Sequence, residues 1–186
     1  MKRAILFFAV LMIFTAFSGV LYAGEKAPRE VFELAEKKLA KFGQDPIIIK
    51  AVKSENARGK SLNQIKDMDK KWKDTPGIAD YMEKLMTNEC GKYLQALQNN
   101  TPYYSEIFVM DNQGANVAMS DKTSDYWQGD EAKFQKSFNG GTGSIFIDEV
   151  EFDESTQSYL VQVSVPVKDG KKVIGAITFG IDIDKL

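Results

Sequence analysis

Tyr126 and Trp127 stand side by side in a short stretch, residues 123–130, that also carries Asp125, Gln128, Gly129 and Asp130. Aromatic faces attract cations, and carboxylates pair with them, so this set of side chains can hold an organic ammonium group. The stretch lies between a hairpin pattern and a three-strand pattern, which makes it a surface connection on a rigid scaffold, with side chains free to face a ligand. The alternative use for the same two rings is to plug the end of a sheet. A further acid stands out in the strand pattern of residues 144–152, where Asp148 alternates in phase with Phe146, Val150 and Phe152. A carboxylate in an apolar row is a conflict between pattern and chemistry of the kind expected at functional sites. The plain alternative is a partly exposed acid near a strand end.

Other chemistry is closed off. The chain of 186 residues has no histidine, which removes the commonest general base and the commonest transition-metal ligand. Its 24 basic and 26 acidic side chains form no long run of one sign, so there is no electrostatic footprint for nucleic acid. Asp121, Asp125, Asp130 and Glu131 do not follow the spacing of a calcium loop. The glycine cluster at 139–143 lacks the Lys-Ser/Thr ending of a phosphate loop and precedes a strand. The expectation is a non-enzymatic protein with no metal and no cofactor. Cys90 lies on an apolar helical stripe and reads as a small buried residue.

These residues need a scaffold, and the chain supplies one domain after an export signal. Residues 1–23 combine a basic start with an apolar run and smaller residues before a cleavage point after Ala23. The mature chain, 24–186, is then periplasmic or secreted. The alternative is an uncleaved signal anchoring it in the inner membrane, since the apolar run is about long enough to span a bilayer.

Helical spacing predicts a first helix from Pro28 to Phe42 with Gly43 as a left-handed stop. A second is capped by Asp45-Pro46, and a third opens on Ser61 with Gln64 at capping-box spacing. One long helix is predicted from Thr75-Pro76 through Ile78, Met82, Cys90 and Leu97, with Gly91 hinting at a kink or a close contact. From Tyr103 the period drops to two: a hairpin turns at 111–114, Asp130 caps a short helix bearing Phe134 and Phe138, and three strands follow. Helices followed by five strands argue an α+β domain with a mostly antiparallel sheet. In the last two strands Tyr159, Val161, Val163, Val165 and Val167, with Val173, Ile177, Phe179 and Ile181, make a greasy face for the long helix to cover. The opposite face, with Gln162, Ser164, Thr178, Gly180 and Asp182, is small and polar and leaves room for a ligand.

In its order of motifs the chain resembles the extracytoplasmic Cache domains, the PAS-like sensor modules of bacterial chemoreceptors and sensor kinases. The resemblance covers roughly residues 28–186 and rests on 106–114, 116–120, the Tyr126-Trp127 loop, the 164–167 strand and the closing 174–183 strand. It implies N-terminal helices, one of them long, packed on a five-stranded PAS-like sheet, with a small-molecule pocket between the sheet and the loop after the second strand. In the amino-acid-binding branch of that family, loop aromatics flank the ligand and strand acids take its ammonium. On this basis Tyr126, Trp127, Asp148 and Asp182 become ligand residues, with Asp125 beside them and Phe146 where that branch often has tyrosine. The loop lacks the arginine of that branch, having Ser124 and Asp125 in its place. Two carboxylates projecting toward two aromatic rings then argue an amine or ammonium ligand rather than one held by its carboxylate. Family members are usually tethered to an output domain. The expectation here is a separate membrane receptor or sensor kinase as partner, and the rival is a structural or protein-interaction domain with no ligand.

Overall fold

The computed structural model describes residues 24–153 and 157–186. The export signal expected over residues 1–23 lies outside the described residues, as does most of the acidic turn at 153–156. Among the described residues six α-helices and five strands run in the order α1 (Arg29–Lys37), α2 (Pro46–Asn56), α3 (Leu62–Asp74), α4 (Asp80–Thr87), α5 (Glu89–Asn99), β1 (Tyr104–Met110), β2 (Asn116–Met119), α6 (Ala132–Phe138), β3 (Phe146–Asp153), β4 (Ser158–Asp169) and β5 (Lys172–Asp182). The sheet has the order β2-β1-β5-β4-β3 and every pairing in it is antiparallel. This is the α+β architecture expected from helices followed by strands.

Local chemistry accounts for the helix starts. The Asp45 carboxylate accepts from the amides of Ile47 and Ile48, ahead of Pro46 in the first turn of α2. Ser61 and Gln64 form the reciprocal capping box of α3. The first helix is shorter than its apolar spacing suggests: α1 ends at Lys37 and a 3-10 turn, Leu39–Gln44, continues the chain. Gly43 is not a left-handed stop. A Cβ there would lie 2.3 Å from the Pro166 carbonyl oxygen, so glycine is required for the turn to lie against β4. At the other end of the sheet region, Glu131 rather than Asp130 occupies the N-cap of α6.

The predicted long helix is two helices. Asn88 is extended and caps α5 by accepting from the Gly91 amide at 2.7 Å, while its own amide donates to the Val117 carbonyl at 3.0 Å. Upstream, Thr75 closes α3 instead of opening the next helix, and Ile78 is 60 % exposed rather than on the buried stripe. Gly91 sits at the corner, where a Cβ would come within 2.3 Å of the Leu85 carbonyl and 2.5 Å of the Met86 carbonyl. Alanine gains about 1 kcal/mol of helix propensity over glycine. Because the opposing atoms are backbone, Gly91→Ala is nevertheless expected to destabilise by about 1–3 kcal/mol, read as a lower urea midpoint. An unchanged midpoint would mean that the corner can open.

The greasy face of the sheet is buried as expected, by more elements than one helix. Val31, Ala35, Leu39, Ile48, Val52 and Leu94, from α1, the 3-10 turn, α2 and α5, join Val161, Val163, Val165, Ile177, Phe179 and Ile181 in one core. A bulge near the start of β5 exchanges two side chains: Ile174 joins this core, and Val173 lies against Gly143 on the other face. A second bulge, between Ile147 and Val150, removes the conflict at Asp148. Phe146 pairs with Ser164 and shares its face, whereas Val150 pairs with Val161 on the helix side, so no continuous apolar row contains Asp148. The chain segment before α1 covers the β3 edge, the Val150 amide donating to the Glu25 carbonyl at 2.9 Å.

The polar face is not left open. Helix α6 packs over β4 and β5, and Ser137, Ser164 and Thr178 are wholly buried, the last two joined at 2.8 Å. Beside them Gln162 reaches past Gly180 to donate to the Glu106 carboxylate at 3.1 Å, a reach allowed because residue 180 has no side chain. Burial raises the Glu106 pKa above the ordinary 4.5, against the pull of Lys133 and Gln162. A carboxyl with a raised folded-state pKa favours folding fully below its unfolded pKa, and that contribution is lost as pH rises through the folded value. Glu106→Gln keeps a carbonyl for Gln162, and is expected to raise the melting temperature at pH 7 with no gain near pH 4. Equal melting temperatures at pH 7 would count against this account.

Candidate functional site

The main recess beside the sequence-predicted loop is a groove of about 450 Å³ between the end of α2, α3, α4 and Tyr126. Its floor follows from the spacing of two helices. Gln64, Met68 and Trp72 recur every four residues along α3, and Tyr81 and Leu85 do so along α4, so both rows face the same trough. Trp72 is 1 % exposed, its ring centre 5.7 Å from that of Tyr126 and 6.1 Å from that of Tyr81. Its indole N–H is satisfied by the Thr123 carbonyl at 2.8 Å, which ties α3 to the loop.

Asp69 fixes Tyr126 in place. Its Oδ1 accepts from the backbone amides of Tyr126 at 2.9 Å and Trp127 at 3.0 Å, and its Oδ2 pairs with Lys73 at 2.8 Å. The Tyr126 carbonyl in turn accepts from the Asn116 amide, so the loop runs as a short extra rung beside the hairpin. The Tyr126 hydroxyl accepts from Lys60 Nζ at 2.5 Å, and Lys60 also pairs with Glu55. Burial works against the Lys60 ammonium, but Glu55 and Tyr126 outweigh it and hold its pKa above the ordinary value. Burial likewise pushes the Tyr126 hydroxyl up, against the pull of Lys60.

Of the six side chains expected to bind a ligand, only Tyr126 lines this groove. Trp127 stands beside it in sequence but donates its indole N–H to the Gln113 carbonyl at 2.8 Å and packs on the hairpin turn. Asp125 pairs with Lys73 at 2.6 Å. Asp182 is at the wrong end of the sheet: β1 pairs with Ile181 at Tyr104 and with Asn116 at Met110, which puts the acid and the loop roughly 20 Å apart along the strand. There Asp182 caps the terminal turn and pairs with Lys185 at 2.7 Å. Although burial raises its pKa, Lys185, Ser158 and the Asp184 amide outweigh that and lower it. Phe146 and Asp148 are on β3, the opposite sheet edge from β2, with Lys136 Nζ 4.4 Å above the Phe146 ring. Asp148 borders a separate recess of about 240 Å³ with Glu149, Glu151 and Asp153.

The expected convergence of Asp148 and Asp182 on the aromatic loop is therefore absent. Cations of the protein itself already stand beside both aromatics: Lys60 on the Tyr126 hydroxyl, and Lys66 with its Nζ 4.7 Å from the Trp127 ring centre. Sequence reasoning missed Asp69, Lys60, Trp72, Tyr81, Arg58 and Lys84 as site residues. Asp69 carried a legible signal, a carboxylate on the buried stripe of Ile65, Met68 and Trp72. The residues of the 56–60 break carried none. Among the described residues no group of three or more His, Cys, Asp or Glu side chains could hold a metal ion, and no helix is long and apolar enough to cross a membrane.

No protein-family model and no curated protein matches the chain. Among solved structures, the ligand-binding domain of the Campylobacter jejuni chemoreceptor Tlp3 in complex with L-valine is similar at 16 % identity, with 83 % of this chain and 64 % of that chain covered and a TM-score of 0.39. The sensor domain of the Vibrio cholerae histidine kinase DctB is similar at 12 % identity, covering 84 % and 58 %, with a TM-score of 0.40. The ligand-binding domain of the Pseudomonas aeruginosa amino-acid chemoreceptor PctC, in complex with GABA, stands at 8 % identity, 82 % and 62 % coverage and a TM-score of 0.38. The chain spans roughly three-fifths of the length of these structures.

Proposed function

We propose that this chain is a non-enzymatic small-molecule-binding sensor domain of the Cache type, and that its ligand lies in the groove between α3, α4 and Tyr126. The observation that carries the reading is the groove itself: about 450 Å³, floored by Trp72, Met68, Tyr81 and Leu85, with charged groups gathered on one side. A concave site of a few hundred Å³ that joins an apolar floor to convergent polar groups is the usual form of a small-molecule site. An amine-bearing ligand, the expectation from the acids, has lost the convergence of Asp148 and Asp182 on which it rested. A thermal-shift screen of amines, amino acids and carboxylates tests the reading, because a ligand at about 100 times its Kd adds roughly 2.7 kcal/mol of stability. Leu85→Trp, which fills the groove, should abolish any shift. A shift that survives this substitution would place the ligand elsewhere.

Export and relay complete the proposal. The mature protein begins near Gly24 in the periplasm and passes its ligand state to a separate membrane receptor or kinase. N-terminal sequencing is expected to find residue 24 first, and an intact Met1 in the membrane fraction would establish the anchored form instead. The rival reading, an interaction domain with no ligand, is favoured by one observation: α6 and the protein's own side chains fill the polar face of the sheet. It requires a screen with no hits.

A further inference from the structure

The charges around the groove are unequal. Arg58, Lys60 and Lys84 line it, and Glu55 is its one carboxylate. That single acid is shared, pairing with both Lys60 and Arg58, the latter at 3.2 Å. Lys84 makes no ion pair among the described residues, and it also lines a second recess of about 340 Å³ that shares Glu55, Arg58 and Leu85 with the groove and whose other carboxylate, Glu89, is paired with Lys50 at 2.6 Å. One end of the groove is thus net positive. The other is an aromatic floor whose polar atoms are already satisfied: the Trp72 indole by Thr123, and the Tyr81 hydroxyl, which donates to Thr75 at 2.7 Å.

We infer that the groove selects an anionic ligand, a monocarboxylate with an aromatic or branched apolar body. The body lies on Met68, Tyr81 and Leu85, above the buried Trp72, and the carboxylate is held by Lys84 and Arg58. An ammonium headgroup would meet like charge at this end, where the Tyr126 hydroxyl already accepts from Lys60. A carboxylate there gains charge-assisted hydrogen bonds from donors that a shared Glu55 leaves under-compensated. Placing the anion at exposed lysine and arginine heads also makes affinity salt-dependent, which a purely apolar fit would not be.

This inference rests on the groove being the ligand site, and the test separates the two. Isothermal titration of the purified protein would use phenylacetate, phenylacetamide and phenethylamine, three probes of one body and different charge. Phenylacetate is expected to bind at least tenfold tighter than the amide. Lys84→Gln is expected to remove most of that advantage while leaving the amide unchanged, and raising salt from 50 to 500 mM should weaken only phenylacetate. Phenethylamine or phenylacetamide binding as tightly as phenylacetate, with Leu85→Trp abolishing it, would overturn the inference and leave the groove in place. Binding of any probe that persists in Leu85→Trp would overturn both. If none of the three binds while another compound from the thermal screen is lost in Leu85→Trp, the monocarboxylate class is wrong and the groove stands.

Discussion

Replacing Asp69 by alanine is expected to destabilise the protein by roughly 3 kcal/mol and to release the 123–130 loop before the rest of the molecule unfolds. Asp69 is 8 % exposed and accepts two backbone amides, those of Tyr126 and Trp127. Each charge-assisted bond of that kind contributes about 1.5–3 kcal/mol, and alanine leaves both donors without a partner. Lys73 also loses one of its two carboxylates, although this part is small because its side chain is 52 % exposed. Asp69→Asn keeps a carbonyl acceptor and should cost less than half as much. Hydrogen exchange at the Tyr126 and Trp127 amides reads the local effect, and the urea midpoint reads the global one. Amides that stay protected in Asp69→Ala would mean that the loop is held by the hairpin alone.

Trp72→Ala is expected to have the larger global effect, about 3–5 kcal/mol, the range for removing a fully buried aromatic side chain. Trp72 fills the space between α3, α4 and Tyr126, and its loss also frees the Thr123 carbonyl. Trp72→Phe keeps an aromatic ring but loses the indole bond and part of the volume, so it should cost less, about 1 to 2 kcal/mol. Because Trp72 is both core and groove floor, binding data on Trp72→Ala are informative only alongside its unfolding curve. Trp127→Ala provides the contrast. Trp127 is half-buried against the hairpin turn, so its truncation should cost stability while leaving groove binding intact.

The strands and the starts of α1, α2 and α3 were legible because their signals are local. Asp45-Pro46 and the Ser61–Gln64 box satisfy amides within a few residues of themselves, and alternation at Val161, Val163 and Val165 reports burial directly. The break between α4 and α5 was not legible, because the apolar stripe runs on through it. It is set by a side chain, Asn88, whose amide finds its partner Val117 in a distant strand. Only Gly91 marked the place. The candidate site was half legible for the same reason. Tyr126 was found by its company in the loop. The partners that give it a role, Asp69, Lys60 and Trp72, belong to helix α3 or the turn before it, some fifty to seventy residues earlier, and no pattern within the loop points to them. The acids at 148 and 182 looked convergent because strand alternation gives a face but no position along or across the sheet. Strand order and register supplied both, and separated them.

The chain's two tryptophans allow a direct test of the central claim, that the ligand occupies the α3/α4 groove, because Trp72 floors the groove and Trp127 does not line it. Their indole N–H signals, assigned by Trp127→Phe, can be followed in a ¹⁵N-correlated NMR titration with the compound giving the largest thermal shift. The account expects the Trp72 indole and the amides around Met68 and Leu85 to move in a saturable way while the Trp127 indole stays in place. Saturable movement at Trp127, or around Asp148 and Asp182, with Trp72 unmoved would contradict it.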